Sequence, residues 1–262
     1  MSKLHAALQS SSSAQQHLNK LAWLVCGLAA SFYFSDYLAR VAPSVMHLKL
    51  QEAFGINEAG FGILIASFYV PYILMQIPVG LTVDRLSIRH VLTFMSCITA
   101  LGCAVFGVAQ GLGTAALGRT LIGFSAAFAF ISALRLATAW FPPSKLGLLS
   151  GLTQSLGMLG AAAGAAPVSL LVAWVGWRYS MGWMAVLFLL LAWLLYRFVH
   201  DTPTGVGHAA QPLPSIGIFA SLKRVLGHSQ TWINALYTGF LFAPCAVIGE
   251  DLGPAYLQFG RG

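Results

Sequence analysis

The chain has 262 residues, of which 58% are hydrophobic and only 8% are charged. Soluble domains carry roughly 25% charged residues, so this composition excludes an ordinary soluble protein as well as a disordered one. The formal net charge is +7, from 14 Lys and Arg against 7 Asp and Glu, but the basic residues are scattered, and nucleic acid is not expected as a partner. We predict an all-α polytopic membrane protein, since a helix satisfies its backbone polar groups within its own segment when lipid surrounds it.

Seven apolar segments are long enough to cross a bilayer, because a span needs about 20 apolar residues. Their predicted bounds, in chain order, are 21–46, 59–83, 88–110, 115–140, 146–175, 179–199 and 231–248. The first segment is too long for the apolar part of a signal peptide, so it is predicted to be a span.

These segments divide the chain into four regions. Residues 1–20 are polar and are predicted to form a disordered cytosolic tail. Residues 21–199 are predicted to form a six-helix transmembrane bundle. The Pro- and Gly-containing residues 200–230 are read as a cytosolic linker with a short amphipathic helix at 216–226, and residues 231–262 as a seventh helix with a short tail.

Lysine and arginine are unevenly distributed between the two sides of the predicted bundle. With the N-terminus in the cytosol, eight basic residues fall in cytosolic segments and two in outer loops. The eight are Lys3, Lys20, Arg85, Arg89, Lys145, Arg197, Lys223 and Arg224, and the two are Lys49 and Arg178. Because positive charge collects in cytoplasmic loops, the N-terminus is predicted to be cytosolic and the membrane to be a bacterial inner membrane.

The second span ends in the run Gly80-Leu-Thr-Val-Asp84-Arg85-Leu-Ser-Ile-Arg89. This run resembles the signature between the second and third helices of the major facilitator superfamily, which Gly80, Asp84, Arg85 and Arg89 match. The resemblance implies that these residues act in gating together with Arg135, at the end of the fourth span. Gly80 is expected to permit close helix approach, and Asp84 to accept from the next helix N-terminus or to pair with Arg135.

The fourth span provides a second match, because Arg119-Thr-Leu-Ile-Gly123 resembles the R-x-x-x-G of that family's fourth helix. The resemblance covers about residues 21–203. It implies a bundle of 3+3 inverted repeats, surrounded by membrane lipid. It also implies secondary active transport of a small molecule by alternating access.

The first span narrows the resemblance to branches that handle anions. Residues 37–43 resemble the anion:cation symporters and the organophosphate:phosphate antiporters, in which a first-helix arginine meets an anionic substrate. Arg119 fits the symporter branch too. Those symporters typically have an acid beside the first-helix arginine, where this chain has Ala39, and a glutamate in the middle of the fourth helix, where it has Ala126. Proton coupling through that pair is therefore not carried over.

Arg40 and Arg119 are predicted to contact a small anionic substrate. A charged side chain within a span tends to face an interior, and a guanidinium group matches the geometry of carboxylate or phosphate. Each arginine also has a structural alternative, since Arg40 can pair with Asp36 one turn earlier and Arg119 can extend to the outer headgroups. Asp36 either carries a coupling proton or serves as the fixed partner of Arg40, so the coupling ion stays open.

Tyrosine and glutamine side chains are predicted to line a cavity near these arginines. Tyr69, Tyr72 and Gln76 recur at helical spacing and therefore share one face of the second span, while Tyr37 and its neighbour Tyr33 lie in the first. The alternatives are hydrogen bonding between helices and a place in an interfacial aromatic belt.

This chain lacks residues that two other classes of membrane protein require. A retinal protein needs a lysine in the last span, and residues 231–248 contain none. An intramembrane serine protease needs a nucleophile motif and a buried base, and neither is found. The four cysteines lie in apolar stretches without the spacing of metal ligands. The protein is therefore predicted not to be an enzyme, with no catalytic residue, metal or cofactor.

The number of spans is unusual for this family, which builds its cavity between two six-helix halves. Seven spans supply one half and the opening helix of the next. We expect a truncated chain that does not transport alone. The alternatives are a half-transporter that dimerises and a non-transporting, receptor-like membrane protein.

Overall fold

The computed structural model describes residues 2–202 and 226–244. All regular structure in these two ranges is helical. The elements are α1 (Ser2–Val45), α2 (His47–Phe54), α3 (Glu58–Arg85), α4 (Ile88–Gly107), α5 (Leu112–Trp140), a 3-10 turn (Pro143–Lys145), α6 (Leu146–Phe198) and α7 (Ser229–Pro244).

Within the described residues, five helices are long and apolar enough to cross a membrane. One of them belongs to α6, which has 53 residues and breaks at Gly176, where the backbone φ angle is +83°. This positive angle is one that glycine adopts without steric cost. The break divides α6 into a first arm (146–175) and a second arm (177–198), which correspond to the fifth and sixth predicted spans. The predicted all-α polytopic fold is confirmed.

Two features near the N-terminus differ from the prediction. The first helix begins at Ser2, so residues 2–20, over which a disordered tail was predicted, are helical in this structure. Extending an existing helix costs little per residue, and this segment is rich in Ala, Leu, Gln and Lys, which favour helices. The structure also contains α2, which was not predicted. It ends at Gly55, whose φ angle of +62° closes the helix with a left-handed cap.

The chain divides into two compact units, residues 1–203 and 204–262. In the second unit the structure describes α7, and the Nε1 of Trp232 donates to the carbonyl oxygen of Leu226 at 2.8 Å. Most of the seventh predicted span is thus helical. Its last residues, and the amphipathic helix predicted at 216–226 except for Leu226, lie outside the described residues.

Glycine lets neighbouring helices of the first unit approach at backbone distance. A Cβ added to Gly102 in α4 would lie 2.8 Å from the carbonyl oxygen of Gly118 in α5, and the reverse distance is also 2.8 Å. The same α4 helix is joined to the second arm of α6, where Ser96 Oγ donates to Phe188 O at 2.7 Å. Small residues and interhelical hydrogen bonds of this kind are what hold helices together in lipid.

The basic residues are separated between the two ends of this bundle. At one end, called the charged end, Asp201 accepts from the backbone N–H of Arg89 at 2.9 Å and Trp140 donates to the His200 carbonyl at 2.8 Å. At the opposite end, Arg178 donates to Ala109 O at 2.5 Å and Lys49 to Val172 O at 3.2 Å. These contacts tie the ends of α4, α5 and α6 into one bundle.

Candidate functional site

Arg40 of α1 lies in a group of aromatic rings contributed by two helices. Its guanidinium carbon is 4.5 Å from the ring centre of Tyr37, 5.0 Å from that of Tyr72 and 5.1 Å from that of Phe68. Its side chain is largely buried, at 7% exposed. The negative faces of aromatic rings attract a cation, so these rings stabilise the charge inside the bundle.

Arg119 of α5 is more deeply buried than Arg40 and also contacts the Phe68 ring. Its guanidinium carbon is 4.6 Å from that ring centre, and its Nη1 donates to the carbonyl oxygens of Ala39 at 3.1 Å and Arg40 at 3.4 Å. At 1% exposure it does not reach the lipid headgroups, so the predicted alternative of an outward-extended side chain is wrong. Both arginines therefore meet at Phe68.

Asp36 is fully buried one helical turn before Arg40. Within residues 2–202 and 226–244, neither of its carboxylate oxygens has a hydrogen-bond partner. It interacts electrostatically with both Arg40 and Arg119. Asp36 thus interacts with Arg40 through charge, without a hydrogen bond to either carboxylate oxygen from the described residues. Two guanidinium groups and one carboxyl group leave the site with excess positive charge.

A second polar group lies on the side of the site that faces the first arm of α6. Tyr33 donates to Oε1 of Gln154 at 3.1 Å, and its hydroxyl oxygen is 3.3 Å from that of Tyr37. A Cβ on Gly157 would collide with the Tyr33 ring, so this glycine permits the approach of the two helices. Sequence reasoning missed Gln154. The Gly-rich pattern of its helix was the available signal, because it indicates close packing against a partner.

The predicted lining residues of α3 are brought to the site unequally. Tyr72 stands beside Arg40, and Tyr69 packs its ring against Phe68 at 5.2 Å between ring centres. Gln76 is exposed at the surface of the bundle. Sequence reasoning also missed Phe68, which is fully buried and contacts both arginines, because an apolar ring in an apolar span carries no distinguishing signal.

The predicted gating residues gather at the charged end. Nε of Arg135 lies 3.7 Å from a carboxylate oxygen of Asp84, so of the two predicted partners Asp84 faces Arg135. Arg85 is exposed. A Cβ on Gly80 would meet no described atom within 4 Å, so the close approach predicted for Gly80 does not occur among the described helices. Arg89 instead packs over the ring of Tyr196 at 4.5 Å.

The N-terminus of α4 is bonded by a residue that sequence reasoning did not identify. Asp201 accepts from the backbone N–H of Arg89, in the first turn of α4. An acidic side chain at this position satisfies a free donor and complements the helix dipole. Accepting from the N-terminus of the next helix was one of the two roles predicted for Asp84. Asp201, at the start of the predicted linker, has this role instead.

A family profile described as Major Facilitator Superfamily matches residues 25–262. The chain belongs to the major facilitator superfamily. A crystal structure of a bacterial homologue of the human lysosomal transporter Spinster, inward-facing and unoccupied, shares this superfamily fold. It aligns with a TM-score of 0.71 at 18% identity, over 91% of this chain and 56% of that chain.

Curated superfamily relatives are similar to this chain over part of their length. An uncharacterised transporter of Bacillus subtilis strain 168 is 32% identical over 67% of this chain and 41% of its own. A probable sulfoacetate transporter of Cupriavidus necator is 30% identical over 74% of this chain and 45% of its own. A probable galactarate/D-glucarate transporter of Escherichia coli K12 is 26% identical over 74% of this chain and 44% of its own. The chain therefore spans less than half the length of these relatives.

These matches confirm two predictions from the sequence. The recognised superfamily is correct, and the chain falls in a family of transporters rather than of enzymes. In superfamily terms, α1, α3, α4, α5 and the two arms of α6 provide a six-helix bundle. The R-x-x-x-G match of the fourth span places Arg119 where α5 meets both α1 and α3.

Proposed function

We propose that this chain forms the substrate-binding bundle of a secondary active transporter that moves a small organic anion by alternating access. The observation that carries the proposal is the burial of Arg40 among Tyr37, Phe68 and Tyr72, with Arg119 contacting the same Phe68 ring. A buried guanidinium group inside a membrane bundle is costly, so its retention favours a functional role.

The charge of the site supports an anionic substrate. Arg40 and Arg119 outnumber the single carboxyl group of Asp36, and a guanidinium group offers two parallel donors to a carboxylate, sulfonate or phosphate. Relatives are named as probable transporters of sulfoacetate and of galactarate or D-glucarate, and as probable anion transporters. In this proposal Arg40, Tyr37 and Tyr72 contact the anion, with Tyr69 and Gln76 further along the same helix face.

Asp36 supplies a candidate for the coupling proton. Loss of water disfavours a charged carboxylate, whereas the neighbouring guanidinium groups favour it. We propose that an anion entering beside Arg40 competes with Asp36 for the Arg40 guanidinium group and thereby promotes protonation of Asp36. This route does not use the two acids of the symporters, whose positions are occupied here by Ala39 and Ala126. In this route the substrate and the proton enter together.

The charged end is proposed to act as the inner gate. Asp84 and Arg135 are half-exposed there, which leaves both side chains available to a second bundle. Gly80 has space around it, and Arg85 is exposed beside it. Arg89 is the least suited of the predicted gating residues, because it is bonded within its own bundle at Asp201 and Tyr196.

The orientation in the membrane follows from the same two ends. The charged end carries Arg85, Arg89, Lys145 and Arg197, so it is proposed to be cytosolic, as the positive-inside rule requires. The N-terminus would then be cytosolic as well, and a bacterial inner membrane is the proposed location.

Replacing Arg40 by Lys tests the proposed function. Lysine keeps the charge but loses the planar pair of donors, so uptake of sulfoacetate or D-glucarate by cells expressing the complete gene product should show a KM raised roughly 10–100-fold. That range corresponds to one charge-assisted hydrogen bond of about 1.5–3 kcal/mol. The matched control is Arg197→Lys, an exposed residue of α6 that should leave KM unchanged. Unchanged uptake of both anions by Arg40→Lys would remove Arg40 from the site.

A further inference from the structure

Two helices next to the site contain a proline that leaves one backbone carbonyl without its usual donor. Pro43 lies near the end of α1, and Pro71 lies within α3. Proline has no N–H, so the carbonyl four residues before it receives no hydrogen bond from its own helix. These carbonyls belong to Ala39 and Ser67. A buried carbonyl without a donor is costly, so a donor from another element is expected.

Both carbonyls receive their donor from adjacent residues of α5. Nη1 of Arg119 donates to Ala39 O at 3.1 Å, and Oγ1 of Thr120 donates to Ser67 O at 3.2 Å. Successive side chains of a helix point about 100° apart, which lets these neighbours reach two different helices. The sites in α1 and α3 where a proline removes this hydrogen bond are called the proline breaks below. The free carbonyl of each break therefore accepts from one of two adjacent residues of α5.

Gly123, one turn further along α5, makes this arrangement possible. A Cβ at Gly123 would collide with the backbone of Phe68, the residue after Ser67. The absence of a side chain lets α5 and α3 touch, and this contact brings the Thr120 hydroxyl within reach of Ser67 O. The R-x-x-x-G pattern then has a physical reading in which Arg119 bonds α1 and Gly123 permits contact with α3.

We infer that Arg119 and Thr120, called the α5 brace below, hold the proline breaks of α1 and α3 at a fixed position against α5. The Nη1 of Arg119 also lies 3.4 Å from the carbonyl oxygen of Arg40 itself. Arg119 is therefore a positioning residue for Arg40 rather than a ligand of the anion. This last step rests on the proposed function, whereas the brace does not depend on it.

A double-substitution cycle at Thr120 and Pro71 tests the brace. Thr120→Val keeps the shape of the side chain but removes its donor, so the thermal midpoint of the purified protein in detergent should fall by about 2–4 °C. Pro71→Ala restores a backbone N–H that can bond Ser67 O. In the Pro71→Ala background, Thr120→Val should therefore lower the midpoint much less. Additive effects of the two substitutions would overturn the brace.

Two controls separate the hydrogen bond from packing. Thr120→Ser keeps the hydroxyl and should therefore lower the thermal midpoint much less than Thr120→Val does. Pro78→Ala removes a different proline of the same helix. Its new N–H can bond the carbonyl of Leu74 but not that of Ser67. It should give no protection against Thr120→Val. Equal protection by Pro78→Ala and Pro71→Ala would show a general effect on α3 and would overturn the assignment.

A second cycle tests the positioning role of Arg119. Arg119→Lys keeps the charge but loses the planar fork, so the midpoint should fall and the KM for D-glucarate uptake should rise. Pro43→Ala offers a new N–H to Ala39 O and should restore both quantities in the double variant. A restored midpoint with a KM that stays raised would mean that Arg119 binds the anion directly and would overturn the positioning role.

Different results would contradict the brace and the proposed function. The thermal cycles require no transport, so additive midpoints contradict the brace whatever the substrate is. Absence of uptake by the unsubstituted complete gene product, for sulfoacetate and D-glucarate alike, would contradict the proposed anion specificity while the coupling of midpoints persists.

Discussion

Asp36 combines complete burial with two carboxylate oxygens that accept no hydrogen bond from any described residue. Burying a charged group without hydrogen bonds is expensive, and nearby opposite charge only partly offsets the cost. The guanidinium groups of Arg40 and Arg119 supply that charge here. An acid kept in such surroundings contributes little to stability, which supports the proposal that Asp36 takes up and releases a proton.

Replacing Asp36 by Asn should separate stability from coupling. The amide has the same shape and no charge, so we expect the thermal midpoint to stay unchanged or to rise. Proton-driven accumulation of D-glucarate should be lost, whereas exchange of external for internal anion should persist. Comparing gradient-driven uptake with counterflow in proteoliposomes of the complete gene product measures both.

The control for this substitution is Asp201→Asn, which changes a carboxylate outside the site. Asp201 accepts from the N-terminus of α4 through Oδ1, which Asn keeps, so only the attraction between its charge and the helix dipole is lost. The free energy of unfolding should therefore fall by about 0.3–1 kcal/mol, and coupling should stay intact. Normal accumulation by Asp36→Asn under a proton gradient would eliminate Asp36 as the coupling group.

At the scale of elements, the contact between α1 and the first arm of α6 places the tyrosines of the site. Gly157, Gly160 and Gly164 face α1, and a Cβ on Gly160 would lie 2.6 Å from Phe34 O and 3.0 Å from the Cβ of Tyr37. At these three glycines the backbone of the first arm of α6 therefore packs directly against α1. Any added atom must displace α1, which carries Asp36, Tyr37 and Arg40 together.

The substitution Gly160→Ala should therefore destabilise the bundle by about 1–3 kcal/mol, as expected for overpacking. It should also raise the KM of anion uptake, because Tyr37 is displaced. The matched control is Gly151→Ala on the same arm, where a Cβ meets nothing within 4 Å and the change should be neutral or stabilising by about 0.4–1 kcal/mol. Unfolding in mixed micelles measures the difference, and equal effects of the two substitutions would contradict the proposed packing.

For the whole molecule, the separation of basic residues between the two ends supports the proposed orientation in the membrane. The prediction concerns Lys145, exposed at the charged end, and Glu52, exposed on α2 at the opposite end. In a cysteine-free background, a membrane-impermeant maleimide should label Glu52→Cys in intact cells. It should label Lys145→Cys only after the membrane is permeabilised. The reverse pattern would invert the topology and place the Asp84–Arg135 contact on the outside.

The helices and part of the site could be predicted from local sequence alone. The bounds of α3, α4 and α5 fall within a few residues of the predicted spans, because a run of about 20 apolar residues can lie in lipid only as a helix. Arg40 and Asp36 were identifiable because charge within such a run is costly. The helix at residues 2–20 was not predicted, since its polar composition carries no information on lipid contact.

What the amino-acid sequence by itself determined was the class of protein, the spans, the asymmetry of charge and the identity of the ionisable residues. Only the tertiary structure decided which groups meet, for instance Tyr33 with Gln154, 121 residues apart, and Arg119 with the backbone of α1, 80 residues away. The physical reason is that hydropathy acts on each residue separately, whereas a hydrogen bond between helices depends on their rotation and spacing. Those are set by where a glycine permits contact and where a proline leaves a carbonyl to be bonded.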